Sequence, residues 1–392
     1  MLSLIPKNSW LHDYVKWSGH NESPKKYHLF VGFMLLASVL ARRVYFPRMD
    51  KVYPNLYVVF VSPPGTGKST ASDIGESLLR RLNPGIRPRI KSGKVTPEAF
   101  RNWLSRRESI SGHPALDGAI GTVFADELSV FLGRQRYNEG MVGMLTKVYG
   151  CPEVYEDETV QWGNIRLKNV CINFIGTTVD DALVRTVNEN ALLGGFVSRV
   201  LWVVGCDEGI RVAFPKPLDI KKGTRLMEHL ISLTNLSGEI TFDDDSRRYY
   251  KKWYDVQPRT HPTIGGYYER KPTAAIKLAI LLQAADYKRR GRIISLEHIR
   301  VAINILEKLE PDVEEVVMAI QTGLTGRRVD NVLDFIRSKN RAVLYQEIVD
   351  FMYRSVRSLQ EVDNTIAILL ARRCLTSKID EVSHATVYEV KE

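Results

Sequence analysis

The stretch that decides the fold is Leu56-Tyr57-Val58-Val59-Phe60-Val61, followed by Ser62-Pro63-Pro64-Gly65-Thr66-Gly67-Lys68-Ser69-Thr70. Its first six residues form a continuous apolar run, which is typical of a parallel strand that is buried on both faces. A helical pattern follows the loop, with Ile74, Leu78, Leu79 and Leu82 on one side. A strand, a glycine-rich turn and a helix that opens on Gly-Lys-Ser together predict a phosphate-binding loop.

The residue types in this loop suit a nucleoside triphosphate. Gly65 and Gly67 let main-chain N–H groups curl around an anion, and the N-terminus of the following helix adds positive potential. Lys68 is expected to reach the β- and γ-phosphates, and the Ser69 hydroxyl is expected to ligate Mg²⁺. Ser62 stands where the motif usually has its first glycine. The predicted phosphate-binding set is Pro64, Gly65, Thr66, Gly67, Lys68, Ser69 and Thr70.

Composition narrows the class of protein. The chain has 392 residues, a net charge of +10 and 44% hydrophobic residues. That length predicts two or three domains, and the basic excess favours a polyanionic partner, with nucleic acid first. The four cysteines are scattered without a C-x-x-C pair, so free thiols and no structural zinc are expected. The longest apolar run, Leu29 to Ala41, is too short to span a bilayer and follows no signal peptide, so we expect a cytoplasmic protein with no membrane partner.

A second landmark completes the predicted nucleotide site. An apolar strand from Gly121 to Ala125 ends in Asp126-Glu127. Asp126 is expected to hold the Mg²⁺ shell, and Glu127 is expected to polarise the water that attacks the γ-phosphate. The rival pair, Asp180-Asp181, fits better as the start of a helix, where negative charge suits the helix dipole.

A third buried strand, Asn169 to Thr178, ends in Gly176-Thr177-Thr178. A polar side chain at the tip of a strand beside the Asp-Glu strand can hydrogen-bond the attacking water or the γ-phosphate. Thr177 is the first candidate for this role, and Asn173 is the second because it lies deeper in the strand.

Two stretches are candidate DNA contacts. Residues 158–168 predict a β-hairpin with Gly163-Asn164 at its turn, and Trp162, Arg166 and Lys168 lie at its tip and on its second strand. This hairpin is either an ordinary surface element or a pore hairpin that follows a phosphate backbone and stacks a base. A basic loop, which is either solvated or faces DNA, contains Arg87, Arg89, Lys91 and Lys94.

The remaining pattern predicts four parts. An N-terminal helical segment spans 1–50, and its apolar helix from His28 to Ala41 is expected to cover the core. An α/β core spans 51–206, and a connector with an α-helical lid spans 207–322. After a linker at 321–326, residues 327–392 predict a winged helix-turn-helix, which serves either nucleic acid or a partner protein.

The order of these parts resembles the AAA+ ATPases, most closely the minichromosome-maintenance-like helicases and the primase-helicase proteins of phages and mobile elements. Phe196-Val197-Ser198-Arg199 is similar to the Ser-Arg finger loop of the former group. The resemblance implies that Arg199 reaches a neighbouring subunit's nucleotide. From the residues alone, an arginine before a strand could also cap the sheet. Arg270 and Lys277 are similar to the sensor-2 arginine and its following basic residue.

This resemblance implies an ATP-driven motor on DNA, a hexameric replicative helicase with ATP and Mg²⁺ as cofactors. Lys68, Asp126, Glu127, Thr177, Arg199 and Arg270 are its expected catalytic set. A primase or another replication protein is an expected partner. Only about fifty residues precede the core, which favours a phage or mobile-element setting. Two alternatives remain: an ATP-switched initiator or helicase loader that does not unwind DNA, and a RecA-fold helicase, which would lack an α-helical lid.

Overall fold

The computed structural model describes residues 1–105, 118–132, 139–159, 163–186, 195–205, 211–258, 260–288, 291–353, 356, 358–380 and 385–391. The chain divides into two compact units, Met1–Val317 and Met318–Glu392. The predicted parts 1–50 and 51–206 lie within the first unit, and the third, 207–322, extends five residues beyond its end at Val317. The finer division among them stays a prediction.

A five-stranded parallel sheet forms the centre of the first unit, with helices on its faces, so the fold class is α/β as predicted. Its strands occur in the order β3-β4-β7-β2-β8. Every residue of β2, β4, β7 and β8 is buried, which is the reason these strands have continuous apolar sequences. The strands are β2 (Tyr57–Val61), β3 (Arg89–Ser92), β4 (Ile120–Ala125), β7 (Cys171–Thr178) and β8 (Leu201–Val204).

The other strands of the first unit form two-stranded pairs. They are β1 (Val44–Tyr45) with β9 (Gly238–Glu239), β5 (Val154–Thr159) with β6 (Gly163–Lys168), and β10 (Thr241–Phe242) with β11 (Ile293–Ile294).

The described helices that begin in the first unit are α1 (Trp10–Ser18), α2 (Lys25–Leu40), α3 (Lys68–Arg80), α4 (Pro97–Ser105), α5 (Leu128–Leu132), α6 (Glu139–Val148), α7 (Asp180–Thr186), α8 (Ile220–Ser232), α9 (Asp244–Asp255), α10 (Gly265–Ala285) and α11 (Leu296–Ser338).

The apolar helix predicted from His28 to Ala41 is α2, which begins three residues earlier at Lys25. From Tyr27 to Leu40 all of its residues are buried, because it packs against α1, α3 and β7 at once. The prediction that this helix covers the core is confirmed, and the N-terminal segment is therefore part of the first unit.

The predicted linker at 321–326 and the predicted helix end at Pro311 both differ from the structure, since α11 runs through them. Buried apolar residues continue at helical spacing on both sides of Pro311, namely Leu306, Leu309, Val313 and Val316. A proline or glycine inside a helix costs about 1–3 kcal/mol, which burial of two such side chains can offset.

The hairpin turn also differs from its prediction. Gly163 and Asn164 lie in β6, opposite Thr159 and Glu158, so they do not form the turn. This register puts Tyr155, Ile165 and Leu167 on one face, and all three are buried. Burial of that face sets the register, because a one-residue slip would expose it.

The second unit contains the end of α11, β12 (Val343–Leu344), α12 (Tyr345–Met352), α13 (Leu359–Ala371), β13 (Leu375–Ile379) and β14 (Thr386–Val390). Its three strands form an antiparallel sheet in the order β12-β14-β13. Its own apolar core includes Val332, Ile336, Ile348 and Leu369. The first helix predicted for this unit, Val329 to Ser338, is the end of α11 and does not begin separately, whereas the later helices and strands lie close to their predicted positions.

Candidate nucleotide-binding site

The carboxyl edge of the sheet brings together the three predicted parts of the site. The loop from Ser62 follows β2, Asp126-Glu127 follows β4, and Thr177 lies near the end of β7. β7 lies between the other two strands, with Thr177 opposite Phe60 and Gly176 opposite Ala125. In open parallel sheets, ligands bind outside the carboxyl ends of the strands, so this edge is the candidate site.

The loop is held by a small set of internal bonds. Gly65 and Gly67 have φ values of 82° and 73°, which only glycine adopts readily. The Ser62 and Thr66 hydroxyls lie 2.5 Å apart, and the Thr66 hydroxyl is also 3.0 Å from the Pro63 carbonyl. Ser62 therefore holds the loop through its hydroxyl at the position where the motif usually has a glycine.

The Lys68 ammonium lies in the mouth of the loop. Its Nζ atom donates to the Ser62 carbonyl at 2.5 Å and to the Pro63 carbonyl at 2.8 Å. Burial lowers the pKa of Lys68, and the charges of Glu127 and Asp180 oppose that effect. The structure thus brings Lys68 close to Glu127, as predicted, and to Asp180, which sequence reasoning assigned only to a helix start. Asp180 is indeed the first residue of α7.

The first turn of α3 supplies the rest of the predicted cradle. α3 begins at Lys68, directly after Gly67, and Ser69 and Thr70 are exposed in its first turn. The first N–H groups of a helix have no partner within that helix, so they are available to an anion. Pro64 and Gly65 are exposed at the outer side of the loop.

Asp126 lies in an acidic environment. Burial raises its pKa, and the charge of Glu76 on α3 raises it further. The pKa of Asp73, one turn after Ser69, is likewise raised by burial and then by Asp126 and Glu76. Carboxylates that repel one another are relieved by a divalent cation, so the donor set at the start of α3 fits Mg²⁺. Within the described ranges, however, no group of three or more His, Cys, Asp or Glu residues is arranged to hold a metal ion.

Side-chain bonds fix the turn after β4. The Thr177 hydroxyl donates to the main-chain carbonyl of Asp126. The Glu127 carboxylate accepts from the Ser129 hydroxyl at 2.9 Å and from the Ser129 N–H at 3.3 Å. Asn173, the second sensor candidate, is fully buried and accepts from the Leu56 N–H at 3.0 Å. Leu56 precedes β2, so Asn173 is a structural residue away from the candidate site.

Arg199 lies at the opposite edge of the sheet. It ends a short 3₁₀ turn two residues before β8, whose residues Leu201–Val204 pair with Val58–Val61 in parallel. The length of β8, about 10 Å, therefore separates Arg199 from the edge that carries its own phosphate loop. Its guanidinium donates to the Gly195 carbonyl at 2.7 Å and is partly exposed.

Arg270 lies near Arg199. Burial lowers the pKa of Arg199, and the neighbouring charge of Arg270 lowers it further. The first turns of α10 pack against the 3₁₀ turn, where a Cβ on Gly266 would lie 3.3 Å from the Ser198 Cβ atom. Lys277, by contrast, is 3% exposed and donates to Asn55, so it stabilises the core and is not a surface cation.

A cleft of about 510 Å³ escaped sequence reasoning. Residues 17–25 and 212–222 line it, among them Trp17, Asn21, Lys25 and Phe214. The Ser23 hydroxyl, which belongs to the first of these segments, donates to the Gly67 carbonyl at 2.7 Å, so this segment contacts the phosphate loop. No local motif marks these residues, because the contact joins segments 44 positions apart in the chain.

The candidate DNA contacts are described in part. Trp162 lies outside the described ranges. Arg166 is exposed and pairs with Glu156 at 3.1 Å, and Lys168 is exposed at the end of β6. In the basic loop, Arg89 donates to main-chain carbonyls, including that of Gly118 at 2.7 Å, and Arg87 donates to the Arg80 carbonyl at 2.9 Å. These two arginines stabilise the fold, and Lys91 and Lys94 remain available to a partner.

Comparison with known proteins adds no family name, since no family model and no curated protein matches the chain. Among the described helices, none combines the length and the apolar composition that crossing a membrane requires.

Proposed function

We propose that this protein is an ATP-driven DNA helicase or translocase, assembled as a hexameric ring that acts in phage or mobile-element replication. One observation carries the proposal. Lys68, Asp126 and Glu127 meet at the carboxyl edge of the sheet, whereas Arg199 and Arg270 lie together near its amino edge. A complete hydrolytic site then needs two copies of the chain, with the arginines of one facing the triphosphate of the next.

Different residues of the chain would bind the phosphates, hold Mg²⁺ and activate the attacking water. The N–H groups of residues 65–70 and the Lys68 ammonium bind the phosphates, and Ser69 with Asp126 would hold Mg²⁺. When bound, Mg²⁺ would supply charge neutralisation to the triphosphate. Glu127 orients and deprotonates the attacking water, and Thr177 holds the Asp126 carbonyl so that the acidic turn keeps its orientation. Arg199 of the adjacent copy stabilises the charge that develops on the γ-phosphate.

The cleft beside the loop is the best candidate for the nucleoside. Trp17 offers an apolar wall, and Lys25 offers a polar group to the base and ribose. Such a combination of an aromatic wall and a few polar groups is usual in small-molecule sites. The segment 17–25, which lines the cleft, also contacts the phosphate loop through Ser23, and this contact supports the assignment of the cleft to the nucleoside.

Helices α8 to α11 favour an AAA+ assignment over the RecA-like alternative. They follow the last strand of the sheet, and all of them except the end of α11 belong to the first unit, as an α-helical lid would. Asp312 on α11 accepts the Val204 N–H at 2.8 Å, so this lid is attached to the end of β8 at the carboxyl edge. A RecA-like chain would have no such helical lid after its core.

The second unit supports a winged helix. Its order of helix, short strand, two helices and two strands, with a three-stranded antiparallel sheet, is the order that such a module requires. The predicted recognition helix, Leu359 to Arg372, is observed as α13, and it contains no lysine or arginine before Arg372. We therefore assign this unit to a partner protein, such as a primase, before DNA.

One observation favours the second candidate, an ATP-switched initiator or loader. Arg166 is neutralised by its ion pair with Glu156 on the facing strand. A hairpin with this balance of charge binds a phosphate backbone weakly, whereas a loader needs only an ATP-dependent change of assembly.

The test measures DNA-stimulated ATP hydrolysis and displacement of a strand from a forked duplex. Lys68→Ala should abolish both activities, and Lys288→Ala, which alters an exposed lysine elsewhere in the same unit, should leave both unchanged. Hydrolysis that is unaffected by Lys68→Ala overturns the nucleotide site. DNA-stimulated hydrolysis without strand displacement selects the initiator or loader.

A further inference from the structure

We propose that Ser23, outside the phosphate loop in sequence, is a positioning residue for that loop and sets its affinity for ATP. This inference rests on the proposed nucleotide site. Ser23 is 5% exposed, and its hydroxyl donates to the Gly67 carbonyl at 2.7 Å. The contact links the N-terminal segment directly to the residue that precedes the first turn of α3.

The contact matters because of the geometry of the peptide bond. In a trans peptide the carbonyl and the following N–H point in opposite directions. Holding the Gly67 carbonyl therefore also fixes the direction of the Lys68 N–H, which is one of the donors of the phosphate cradle. The Gly67 carbonyl also accepts the Ala71 N–H, but at 3.2 Å, so the Ser23 bond is the shorter of the two.

Gly67 needs such support because it has a left-handed conformation. Its φ is 73°, and glycine can change readily from this value to others because it has no Cβ to restrict it. Ser23 lies so close that a Cβ added at Gly67 would be 2.9 Å from the Ser23 Cα atom. The N-terminal segment therefore blocks movement of the loop in that direction as well as binding its carbonyl.

Ser23 itself is held in place by the end of α1. The Asn21 side chain accepts the Ser23 N–H at 2.9 Å and donates to the Ser18 carbonyl at 2.8 Å. α1 is anchored in turn by buried aromatic residues, among them Trp10 and Tyr14. The hydroxyl therefore reaches Gly67 from a rigid support, which is what a positioning residue requires.

The test compares Ser23→Ala with Ser23→Thr, which keeps the hydroxyl. Ser18→Ala is the matched control, because the Ser18 hydroxyl is also buried but donates only to Tyr14 in its own helix. Binding of ATP with Mg²⁺ is measured by calorimetry, and KM and kcat are measured by steady-state hydrolysis. Ser23→Ala should raise the Kd and the KM roughly fivefold to tenfold, the usual value of one hydrogen bond, and change kcat less than twofold. Ser23→Thr and Ser18→Ala should stay within twofold of the parent.

Asn21→Ala gives a second route to the same conclusion, since it removes the support of Ser23 without touching its hydroxyl, and it should raise the Kd in the same direction. Equal affinity in Ser23→Ala and the parent overturns the inference and leaves the nucleotide site intact. An equal loss in Ser23→Ala and Ser18→Ala also overturns it, because the effect would then be general destabilisation. A parent chain that does not bind ATP overturns the proposed function together with this inference.

Discussion

Thr177 donates its hydroxyl hydrogen to the main-chain carbonyl of Asp126, and so joins the tips of two neighbouring strands. Thr177→Val keeps the shape of the side chain but leaves that carbonyl without its partner. The orientation of Asp126-Glu127 should then relax, and kcat for ATP hydrolysis should fall about tenfold, while the Kd for ATP changes little. Thr177→Ser, which keeps the hydroxyl, should retain most of the activity. A Thr177→Val enzyme with parental kcat would remove this role from Thr177.

Mixed assemblies test the division of the site between copies. Lys68→Ala and Arg199→Ala should each reduce hydrolysis by at least about 10³-fold, the usual contribution of an arginine finger. When the two variants are mixed, an Arg199→Ala copy supplies an intact phosphate loop and a Lys68→Ala copy supplies an intact arginine. Activity should therefore return in part, and it should depend on the ratio of the two variants.

The matched control for this experiment is Arg247→Ala, which alters an exposed arginine of α9. The Arg247→Ala copy keeps both its phosphate loop and Arg199. Its mixture with Lys68→Ala should therefore show only the activity of the sites that the Arg247→Ala copies themselves provide. Failure of the two inactive variants to complement one another at any ratio would argue against a site shared between copies.

The two loop glycines should differ in their effect on stability. At Gly67 an added Cβ would lie 2.4 Å from the Ser23 hydroxyl, and the φ is 73°. At Gly65 the φ is 82°, but no atom lies within 4 Å of the added Cβ. We expect Gly67→Ala to lower the free energy of unfolding by about 3 kcal/mol and Gly65→Ala by about 1 kcal/mol.

Urea denaturation measures this difference. Gly143→Ala is the control, because this glycine lies in α6 with open space at its Cβ position, and alanine there should be neutral or stabilising. Equal losses at Gly65 and Gly67 would show that the Ser23 contact has no part in the stability of the loop.

The charge balance of the hairpin predicts opposite effects on DNA affinity. Lys168→Ala should weaken binding of single-stranded DNA. It should also reduce the slope of log affinity against log salt concentration by about one. Glu156→Ala should strengthen binding, because it frees Arg166 from its ion pair. Lys251→Ala on α9 is the control for a general loss of positive charge. Fluorescence anisotropy across a salt series measures all three variants, and an unchanged affinity in both hairpin variants would separate the hairpin from DNA.

His28 should make the protein sensitive to mild acid. Burial lowers its pKa from 6.5 to about 4, so the folded state keeps His28 neutral while the unfolded state is protonated below pH 6.5. The unfolded state then binds more protons, and the stability falls as the pH decreases from 6.5 to about 4. The total loss is about 3 kcal/mol, and it should be absent in His28→Leu. Urea denaturation between pH 7.5 and 4 measures it, and an equal slope in both proteins would contradict the assignment.

The parts of the site that could be predicted from the sequence are those whose residues lie close together along the chain. The strand before the phosphate loop, the loop itself and the strand ending in Asp126 each have a pattern within about ten residues. Their convergence follows from parallel strands, because the carboxyl ends of such strands share one edge of a sheet. The separation of Arg199 from that edge follows in the same way, since it precedes its strand.

The contacts that could not be predicted depend on tertiary structure. Ser23 meets Gly67 across 44 positions, and nothing near either residue marks the other. Lys277 follows Arg270 at helical spacing, but α10 enters the core after its first turns, so the same helix face is exposed at Arg270 and buried at Lys277. Helix α11 continues through Pro311 because its apolar stripe continues, a packing effect that outweighs the local preference for a break.

The positions of Lys68 and Arg199 at opposite edges of one sheet also limit how copies can associate. A two-fold dimer that joined the amino edge of each copy to the carboxyl edge of the other would leave neither edge for a third copy. In the proposed ring the contact is instead head-to-tail, and every added copy carries forward one unused edge of each kind. Closing the ring joins the two unused edges. A copy that is defective at one edge would therefore stop the growth of the assembly at that point.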